Sequence, residues 1–300
     1  SAKKLNETSE DEIYEQSKLR LEEVMQQGTG AVEIKSGYGL TVDGELKMLR
    51  VIKRLKENYP IAIKATFLGA HAFPMEYKEN HSGYIDLIIS EMLPKIASEN
   101  LANYIDAFLE TGYFSVDETI KIMEAGKKYG LEPKIHVNQF TAIDGIKACV
   151  EHGALSVDHL EIVTDEDIEV LKNSKTMPVA LPSCSYFISI PYTPARRIMN
   201  AGLPLALATD YNPGTTPSGN MNFVVATACI KMKMTPEEAI NAATLNGAYA
   251  MGISSTHGSI TIGKKANLII TKPIPSFYQI PYAFGSNLIE NVILDGKLHE

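Results

Sequence analysis

Short β-rich runs alternate with helical segments along almost the whole chain, and this alternation limits the fold more than any other feature. Several runs are apolar on both faces, as strands in the middle of a parallel sheet are. Seven strands are predicted, at 31–36, 61–70, 103–110, 133–139, 154–161, 177–183 and 204–210. Helices are predicted at 9–27, 43–58, 82–98, 116–129, 142–152, 165–173, 195–201, 220–231 and 236–250.

Strands and helices in this order form βαβ units with right-handed crossovers, and so regular a series favours a (β/α)₈ TIM-type barrel over an open doubly wound sheet. A barrel needs eight strands. Because the chain opens on a helix, we expect the missing strand to be the first. Residues 1–256 are then a barrel with strands two to eight. In 257–300, the β segments 257–273 and 290–300 with glycine turns predict an accessory β layer.

The composition of the chain excludes several classes of protein. A formal charge of −8, a pI near 5.5 and the lack of a Lys/Arg-rich run argue against nucleic-acid binding. We expect no membrane span, because no stretch of the sequence is apolar over that length, and no signal peptide, because the N-terminus is polar. Cys149, Cys184 and Cys229 are few, widely spaced and odd in number, which favours a reducing cytoplasm over a disulfide framework.

Reactive side chains recur where the predicted strands end, the place where barrels of this kind hold their active sites. They are Tyr38, His71, His136, Asp158, His159, Glu161 and Asp210. Imidazole and carboxylate groups suit Zn²⁺ or Fe²⁺, and an Asp beside a metal-bound water can accept its proton. Two histidines on adjacent strands and an aspartate on the last strand therefore favour a metal-dependent hydrolase.

Each of these residues also has a simpler interpretation. A single His in a strand is more often a hydrogen-bonded core residue than a ligand. Asp158 and Glu161 could be charges at the rim of the barrel. Asp210 could cap a turn, because Asn212-Pro213-Gly214 has strong turn chemistry of its own.

Seven stretches, spread over nearly the whole chain, carry a resemblance to known proteins. They are EIKSGYGL (33–40), TFLGAHAFP (66–74), DAFLETGYF (106–114), KIHVNQF (134–140), SVDHLE (156–161), TDYNPGT (209–215) and PYAFGSN (281–287). Together they resemble the amidohydrolase superfamily and, within it, the imidazolonepropionase family. Barrels of that superfamily carry a His-x-His on strand one, a His on strands five and six, and an Asp on strand eight. ITIGKKANLII also resembles a strand of their small β-sandwich.

The resemblance implies a mononuclear site with one divalent ion, zinc or iron, and a small-molecule substrate. His136 and Asp210 resemble metal ligands, and His159 resembles the histidine beside the metal. Asp210, His159 and Gln139 are the implied catalytic residues, and the implied substrate-binding residues are Tyr38, His71, Gln139, Asn212, Gly214 and Thr215. The implied reaction is hydrolytic ring opening of 4-imidazolone-5-propionate to N-formimidoyl-L-glutamate in histidine degradation, and a homodimer is typical of the resemblance.

Two departures from the family pattern matter. The sequence contains no His-x-His. We therefore expect it to be part of a longer protein, and these 300 residues alone to bind metal weakly and to be inactive. Where the family commonly has Glu three residues after the strand-five His, this chain has Gln139. A neutral amide can donate or accept a hydrogen bond but takes no proton at pH 7.

Two other functions compatible with the sequence remain open. The chain could act on another cyclic amide or amidine, such as a hydantoin or a deaminase substrate. It could also be a non-catalytic barrel that has lost its metal.

Overall fold

Seven parallel strands, paired in sequence order, form the main sheet of the protein, and the computed structural model describes residues 2–299. The strands are β1 (Ala31–Lys35), β2 (Ala62–Ala70), β3 (Tyr104–Leu109), β4 (Glu132–Val137), β5 (Ser156–His159), β6 (Met177–Ala180) and β7 (Ala206–Leu207). All six residues of β3 are buried, as expected for a strand with helices outside and side chains inside a curved sheet. The predicted number and order of strands in this sheet are confirmed.

Helices connect these strands and cover the outside of the sheet. They are α1 (Ala2–Glu7), α2 (Glu10–Gln26), α3 (Val42–Asn58), α4 (His81–Leu87), α5 (Leu93–Ser98), α6 (Val116–Lys128), α7 (Gly145–Glu151), α8 (Asp165–Lys172), α9 (Pro182–Ile188), α10 (Ala195–Asn200), α11 (Met221–Met232), α12 (Pro236–Asn241), α13 (Gly247–Ala250) and α14 (Gln279–Tyr282). In α3, Leu46, Leu49 and Ile52 recur at helical spacing and are buried in the core. Short π-helical turns join α4 to α5 and α12 to α13. No helix among residues 2–299 is long and apolar enough to cross a membrane.

The sheet curls so that its two ends approach each other. Tyr211, just after β7, donates a hydrogen bond of 3.1 Å to Glu23 in α2. Inside the sheet, Lys35 Nζ on β1 reaches Asp158 Oδ2 on β5 at 3.2 Å. The C-terminal ends of the strands therefore face one common space, as the predicted barrel requires.

The last two strands of the main sheet are shorter than the sequence suggests. The run 177–183 leaves the sheet at Ala180, because Pro182 occupies the first turn of α9. A proline there has no N–H to lose and its fixed φ suits a helix start. The run 204–210 has only Ala206 and Leu207 in the sheet, since the chain turns into the loop that carries Asp210.

A second, antiparallel sheet follows the helices. It contains β8 (Leu268–Thr271), β9 (Ile289–Leu294) and β10 (Lys297–His299), in the order β10-β9-β8. Asn267 Nδ2 donates to Gly30 O at 2.8 Å, and a Cβ on Gly28 would lie 2.5 Å from Ile269 Cδ1. The small sheet therefore packs closely against the segment that leads into β1.

Candidate active site

Tyr38 and His71 meet above the ends of β1 and β2. Their rings pack edge to face with centroids 5.3 Å apart. His71 Nδ1 lies 3.0 Å from Gly37 O, and since a carbonyl only accepts, Nδ1 carries the proton and Nε2 keeps its lone pair. Burial, and then the neighbouring His136, lower the pKa of His71, which keeps the ring neutral.

His136 and His159 stand side by side at the ends of β4 and β5. Their ring centroids are 5.3 Å apart. His136 Nδ1 lies 2.8 Å from Asp106 Oδ2, in close contact but without the alignment of a good hydrogen bond. His159 Nδ1 lies 3.4 Å from Glu161 Oε1. A carboxylate beside Nδ1 is the usual partner of a metal-binding imidazole, because it leaves Nε2 as the ligand atom.

His159 gains a proton more readily than an ordinary histidine. Burial lowers its pKa, but the hydrogen bond and charge of Glu161, together with Asp210, outweigh burial and raise it. Its carbonyl also accepts a hydrogen bond of 2.7 Å from Thr193 Oγ1, which fixes the backbone at the end of β5. His159 can therefore hold a proton inside the site.

Asp210 lies in the loop after β7, close to residues from other strands. Burial and the charge of Asp210 raise the pKa of Tyr38 to about 12, so Tyr38 stays a phenol that can donate. Burial and Asp210 likewise raise the pKa of the Cys184 thiol to about 12. Thr215 Oγ1 donates to Asp210 Oδ2 at 3.2 Å. Tyr38, His159 and Cys184 therefore all lie near enough to Asp210 for its charge to shift their pKa values.

The loop after Asp210 is held by Asn212. Asn212 Oδ1 accepts from the N–H groups of Gly214 and Thr215 at 2.8 and 2.7 Å. Its Nδ2 donates to Asp210 O at 2.7 Å and to Thr215 Oγ1 at 2.8 Å. The turn expected from Asn212-Pro213-Gly214 therefore exists, and in this structure its donors are used within the loop.

Gln139 is buried beside Cys184. Its Nε2 lies 3.6 Å from Cys184 Sγ, within the range of a weak hydrogen bond to sulfur. Cys184, at the start of α9, therefore lies next to the site, whereas the sequence predicts only a small buried residue there.

Asp158 and Glu161 are not at the barrel rim, so that interpretation is wrong. Both are almost fully buried, at 5% and 4% exposure. Asp158 accepts hydrogen bonds from Ser156 Oγ at 2.7 Å and Lys35 Nζ at 3.2 Å. Glu161 lies beside His159 and accepts from Ser185 Oγ at 3.1 Å. Both carboxylates are buried together with hydrogen-bond donors, which offset the cost of removing their charges from water.

Two groups of possible ligand atoms lie close together among residues 2–299. One contains Asp106, His136 and Asp158, and the other contains His159, Glu161 and Cys184; within each, the atoms are within 4.8 Å of one another. Asp210 is in neither group. In the group of Asp106, His136 and Asp158, the ammonium of Lys35 already supplies a positive charge, because its Nζ lies 2.8 Å from Asp106 and 3.2 Å from Asp158.

The backbone at the strand ends is strained. Asn138, His159, Leu160 and Asp210 all have positive φ, at 56°, 89°, 63° and 55°. Residues other than glycine rarely adopt a positive φ. Such residues occur where the surrounding structure holds the backbone in place, and they are common at functional sites.

The sequence matches a known protein family along nearly its whole length. A model of the amidohydrolase family matches residues 6–299. A curated imidazolonepropionase from Flavobacterium psychrophilum is 82% identical over 298 residues, covering 99% of this chain and 72% of the relative. An imidazolonepropionase from Geobacillus kaustophilus is 42% identical over 298 residues, covering 99% of this chain and 70% of the relative.

Solved structures share the fold at low identity. A guanine deaminase from C. acetobutylicum with bound guanine superposes with a TM-score of 0.76 at 15% identity, over 100% of this chain and 78% of that one. An adenosine deaminase from Xanthomonas campestris with bound zinc gives 0.73 at 17% identity, over 97% and 70%. These likenesses establish the TIM-like α/β fold.

From its family match and its relatives, the chain belongs to the imidazolonepropionase family of the metal-dependent amidohydrolases.

Proposed function

We propose that this protein hydrolyses 4-imidazolone-5-propionate to N-formimidoyl-L-glutamate, the ring-opening step of histidine degradation. The observation that carries the proposal is the 82% identity to a curated imidazolonepropionase over 99% of the chain. The site supports it, because two histidines, an aspartate and a tyrosine converge at the strand ends.

The donor set fits one divalent metal ion. His136 has Nδ1 beside the buried carboxylate of Asp106, which points to Nε2 as its ligand atom, and Asp210 adds an oxygen. His159 stands beside this metal position and faces the attacking water and the substrate. Imidazole and carboxylate suit zinc and iron alike. When bound, such an ion polarises the ring carbonyl and lowers the pKa of a water to about 7.

The protein's own side chains then handle protons and orientation. Asp210 accepts a proton from the attacking water. His159, whose pKa is raised by Glu161 and Asp210 against the effect of burial, holds a proton that can pass to the ring nitrogen as the ring opens. Tyr38 donates a hydrogen bond to the substrate through its phenol, and His71 Nε2 accepts one.

We assign the propionate to the loop of Asn212, Gly214 and Thr215. The N–H groups of Gly214 and Thr215 point at one acceptor, Asn212 Oδ1, at 2.8 and 2.7 Å. Two converging N–H groups suit a carboxylate oxygen equally well, so substrate binding exchanges the amide oxygen for the propionate. Gln139 orients the ring by a hydrogen bond.

We propose further that an eighth strand pairs between β1 and β7, which end the sheet on its two sides. This strand is where the resemblance puts the His-x-His, and this chain spans 72% of its curated relative from F. psychrophilum. Residues 1–300 alone are then expected to bind metal weakly and to be inactive. The sheet of β8–β10 becomes the C-terminal part of a small β-sandwich.

The enzyme is proposed to work as a homodimer in the cytoplasm, without a nucleic-acid partner. Three free cysteines, Cys149, Cys184 and Cys229, support a reducing compartment. Sedimentation of the full-length protein measures its oligomeric state directly.

The proposal is tested with the full-length protein, metal analysis, and three substrates: 4-imidazolone-5-propionate, a hydantoin and a purine for deamination. We expect turnover of the first alone, with about one zinc or iron per chain. In Asp210→Asn the kcat should fall by roughly 10²- to 10⁴-fold, because the water loses its proton acceptor. Turnover of another substrate instead, or an Asp210→Asn variant with full kcat, contradicts the proposal. A metal-free, inactive full-length protein would favour the non-catalytic alternative.

A further inference from the structure

The interior of the barrel below the candidate site contains a buried cluster of charges. Lys35 Nζ lies 2.8 Å from Asp106 Oδ2, 3.0 Å from Glu33 Oε1 and 3.2 Å from Asp158 Oδ2. Asp106 is fully buried, and its neighbours come from β1, β4 and β5. No role proposed above uses Lys35, and Asp106 enters only as the carboxylate beside His136 Nδ1.

Asp106 is fixed at both of its oxygens. Oδ1 accepts hydrogen bonds from His136 N at 3.1 Å and from Ala107 N at 2.7 Å. Oδ2 lies 2.8 Å from Lys35 Nζ and 2.8 Å from His136 Nδ1. The carboxylate therefore holds the backbone of His136 with one oxygen and faces its ring with the other.

Lys35 determines where the second oxygen of Asp106 points. Its ammonium lies between Asp106 and Asp158, which would otherwise be two like charges close to the same imidazole. Because an ammonium occupies this position, the group of Asp106, His136 and Asp158 serves to orient the ring and does not bind a metal ion of its own.

We propose that Lys35 and Asp106 are positioning residues that act through His136. Lys35 orients Asp106, Asp106 keeps the proton of His136 on Nδ1, and Nε2 is thereby presented to the site. This inference rests on the proposed function for the identity of the metal-binding atom, but the position of the proton on His136 can be measured without metal or substrate.

The test uses full-length protein with ¹⁵N-labelled histidine, carrying Asp106→Asn. NMR correlations within the imidazole ring report the tautomer in metal-free protein, and chelator competition reports zinc affinity. In the wild type we expect the proton of neutral His136 on Nδ1. In Asp106→Asn we expect the proton to redistribute towards Nε2 and zinc affinity to fall by roughly 10- to 100-fold.

Lys134 provides the matched control. It is a buried lysine on β4, and it contacts Ser156 Oγ, Ala250 O and Glu33, at 2.8, 2.7 and 3.2 Å. Lys134→Gln should lower the melting temperature but leave the His136 tautomer and zinc affinity as in the wild type. If Lys134→Gln changes them as much as Asp106→Asn does, the effect is general distortion and the proposal is wrong.

A second variant covers the case in which Asp106→Asn does not fold. Lys35→Gln removes only the ammonium and should lower zinc affinity by about tenfold, with partial rescue in Lys35→Arg. A folded Asp106→Asn or Lys35→Gln protein with the wild-type tautomer and zinc affinity within twofold overturns the proposal. Failure of the proposed function has a different result: the wild-type protein has the expected His136 tautomer but does not turn over the substrate.

Discussion

Gln139 determines whether the end of β4 supplies a proton acceptor or only a hydrogen bond. Its side chain is buried, and Nε2 is directed to Cys184 Sγ at 3.6 Å. That contact leaves Oε1 as the atom free to accept from a substrate N–H. A neutral amide takes no proton at pH 7, so proton transfer falls to Asp210 and His159.

Replacement of Gln139 separates hydrogen bonding from proton transfer. Gln139→Ala should lower kcat/KM by roughly tenfold or more, because a buried polar partner of the substrate is lost. Gln139→Glu should be tolerated, since a carboxylate also accepts the hydrogen bond. Steady-state kinetics of the full-length protein measure both, with melting temperature as the control for folding. An unchanged kcat/KM in Gln139→Ala removes Gln139 from the mechanism.

The spacing of the inward-facing charges is visible in the sequence. Residues two apart in a strand face the same side, and polar pairs at this spacing occur in β1, β4 and β5. The pairs are Glu33 with Lys35, Lys134 with His136, and Ser156 with Asp158. The register of β4 and β5 sets His136 opposite Asp158. What the sequence cannot supply is which face is inside, because that depends on how the sheet curls.

At the scale of the loops, buried carboxylates hold the segments that carry the site. Glu45 in α3 accepts from the N–H groups of Gly37, Gly39 and Leu40 at 2.9, 2.8 and 2.9 Å, which fixes the loop around Tyr38. Glu110 does the same after β4, where it accepts from Phe140 N at 2.8 Å and Thr141 N at 3.2 Å. Each carboxylate satisfies backbone donors that would otherwise be buried without partners.

Glu45 is therefore expected to matter for both stability and substrate binding. Glu45→Ala leaves three backbone N–H groups without their acceptor, at about 1–3 kcal/mol each for those that stay buried, so we expect a loss of at least ~2 kcal/mol. KM should rise more than kcat falls, because the loop carries Tyr38 and not the groups that move protons. Urea unfolding and steady-state kinetics measure these effects.

Glu91 is a suitable control for Glu45, since it forms only an exposed i,i+4 ion pair with Lys95. Glu91→Ala should change stability by less than about 0.5 kcal/mol. A Glu45→Ala protein as stable as Glu91→Ala would show that the loop does not depend on the carboxylate.

Most element positions follow from local sequence, and the exceptions have local causes. The helix predicted at 82–98 is interrupted by a π-helical turn at 88–92, which adds one residue to a turn and leaves no mark in the apolar spacing. The helix α9 was missed because its serines and cysteine, in PSCSYFI, have weak helix propensity and follow a buried strand directly.

For the whole molecule, the order of the strands is predictable from the sequence, but the curling of the sheet into a barrel is not. The α/β alternation requires parallel neighbours in sequence order, and the sheet has that order. The positions of His136, His159 and Asp210 at one end follow from it. The buried network of Lys35 and Asp106 does not, because it joins strands β1, β3 and β5 across the interior, and those contacts exist only once the sheet has curled.

From this network we expect the whole barrel to be sensitive to acid. Burial raises the pKa of Asp106, but His136 and Lys35 outweigh burial and bring it from its ordinary 3.8 to about 2. The pKa of Glu33 is lowered too, because Lys134 and Lys35 outweigh its burial. A carboxylate with a lower pKa in the folded state stabilises the fold fully above its unfolded pKa and loses that contribution as the pH falls through its folded value.

We therefore expect the melting temperature of metal-free protein, measured with a chelator present, to fall between about pH 4.5 and pH 2. Asp106 alone accounts for about 2 kcal/mol of this change. Glu33→Gln should be less stable at pH 7 and lose less stability on acidification, since one titrating carboxylate is gone.

Glu124 is the surface control: Lys127 and His152 lower its pKa to about 2, but it is solvent-exposed, and water and salt screen its ion pairs. Glu124→Gln should leave the acid transition in place. If Glu124→Gln removes that transition and Glu33→Gln does not, surface charge, and not the barrel interior, controls acid unfolding.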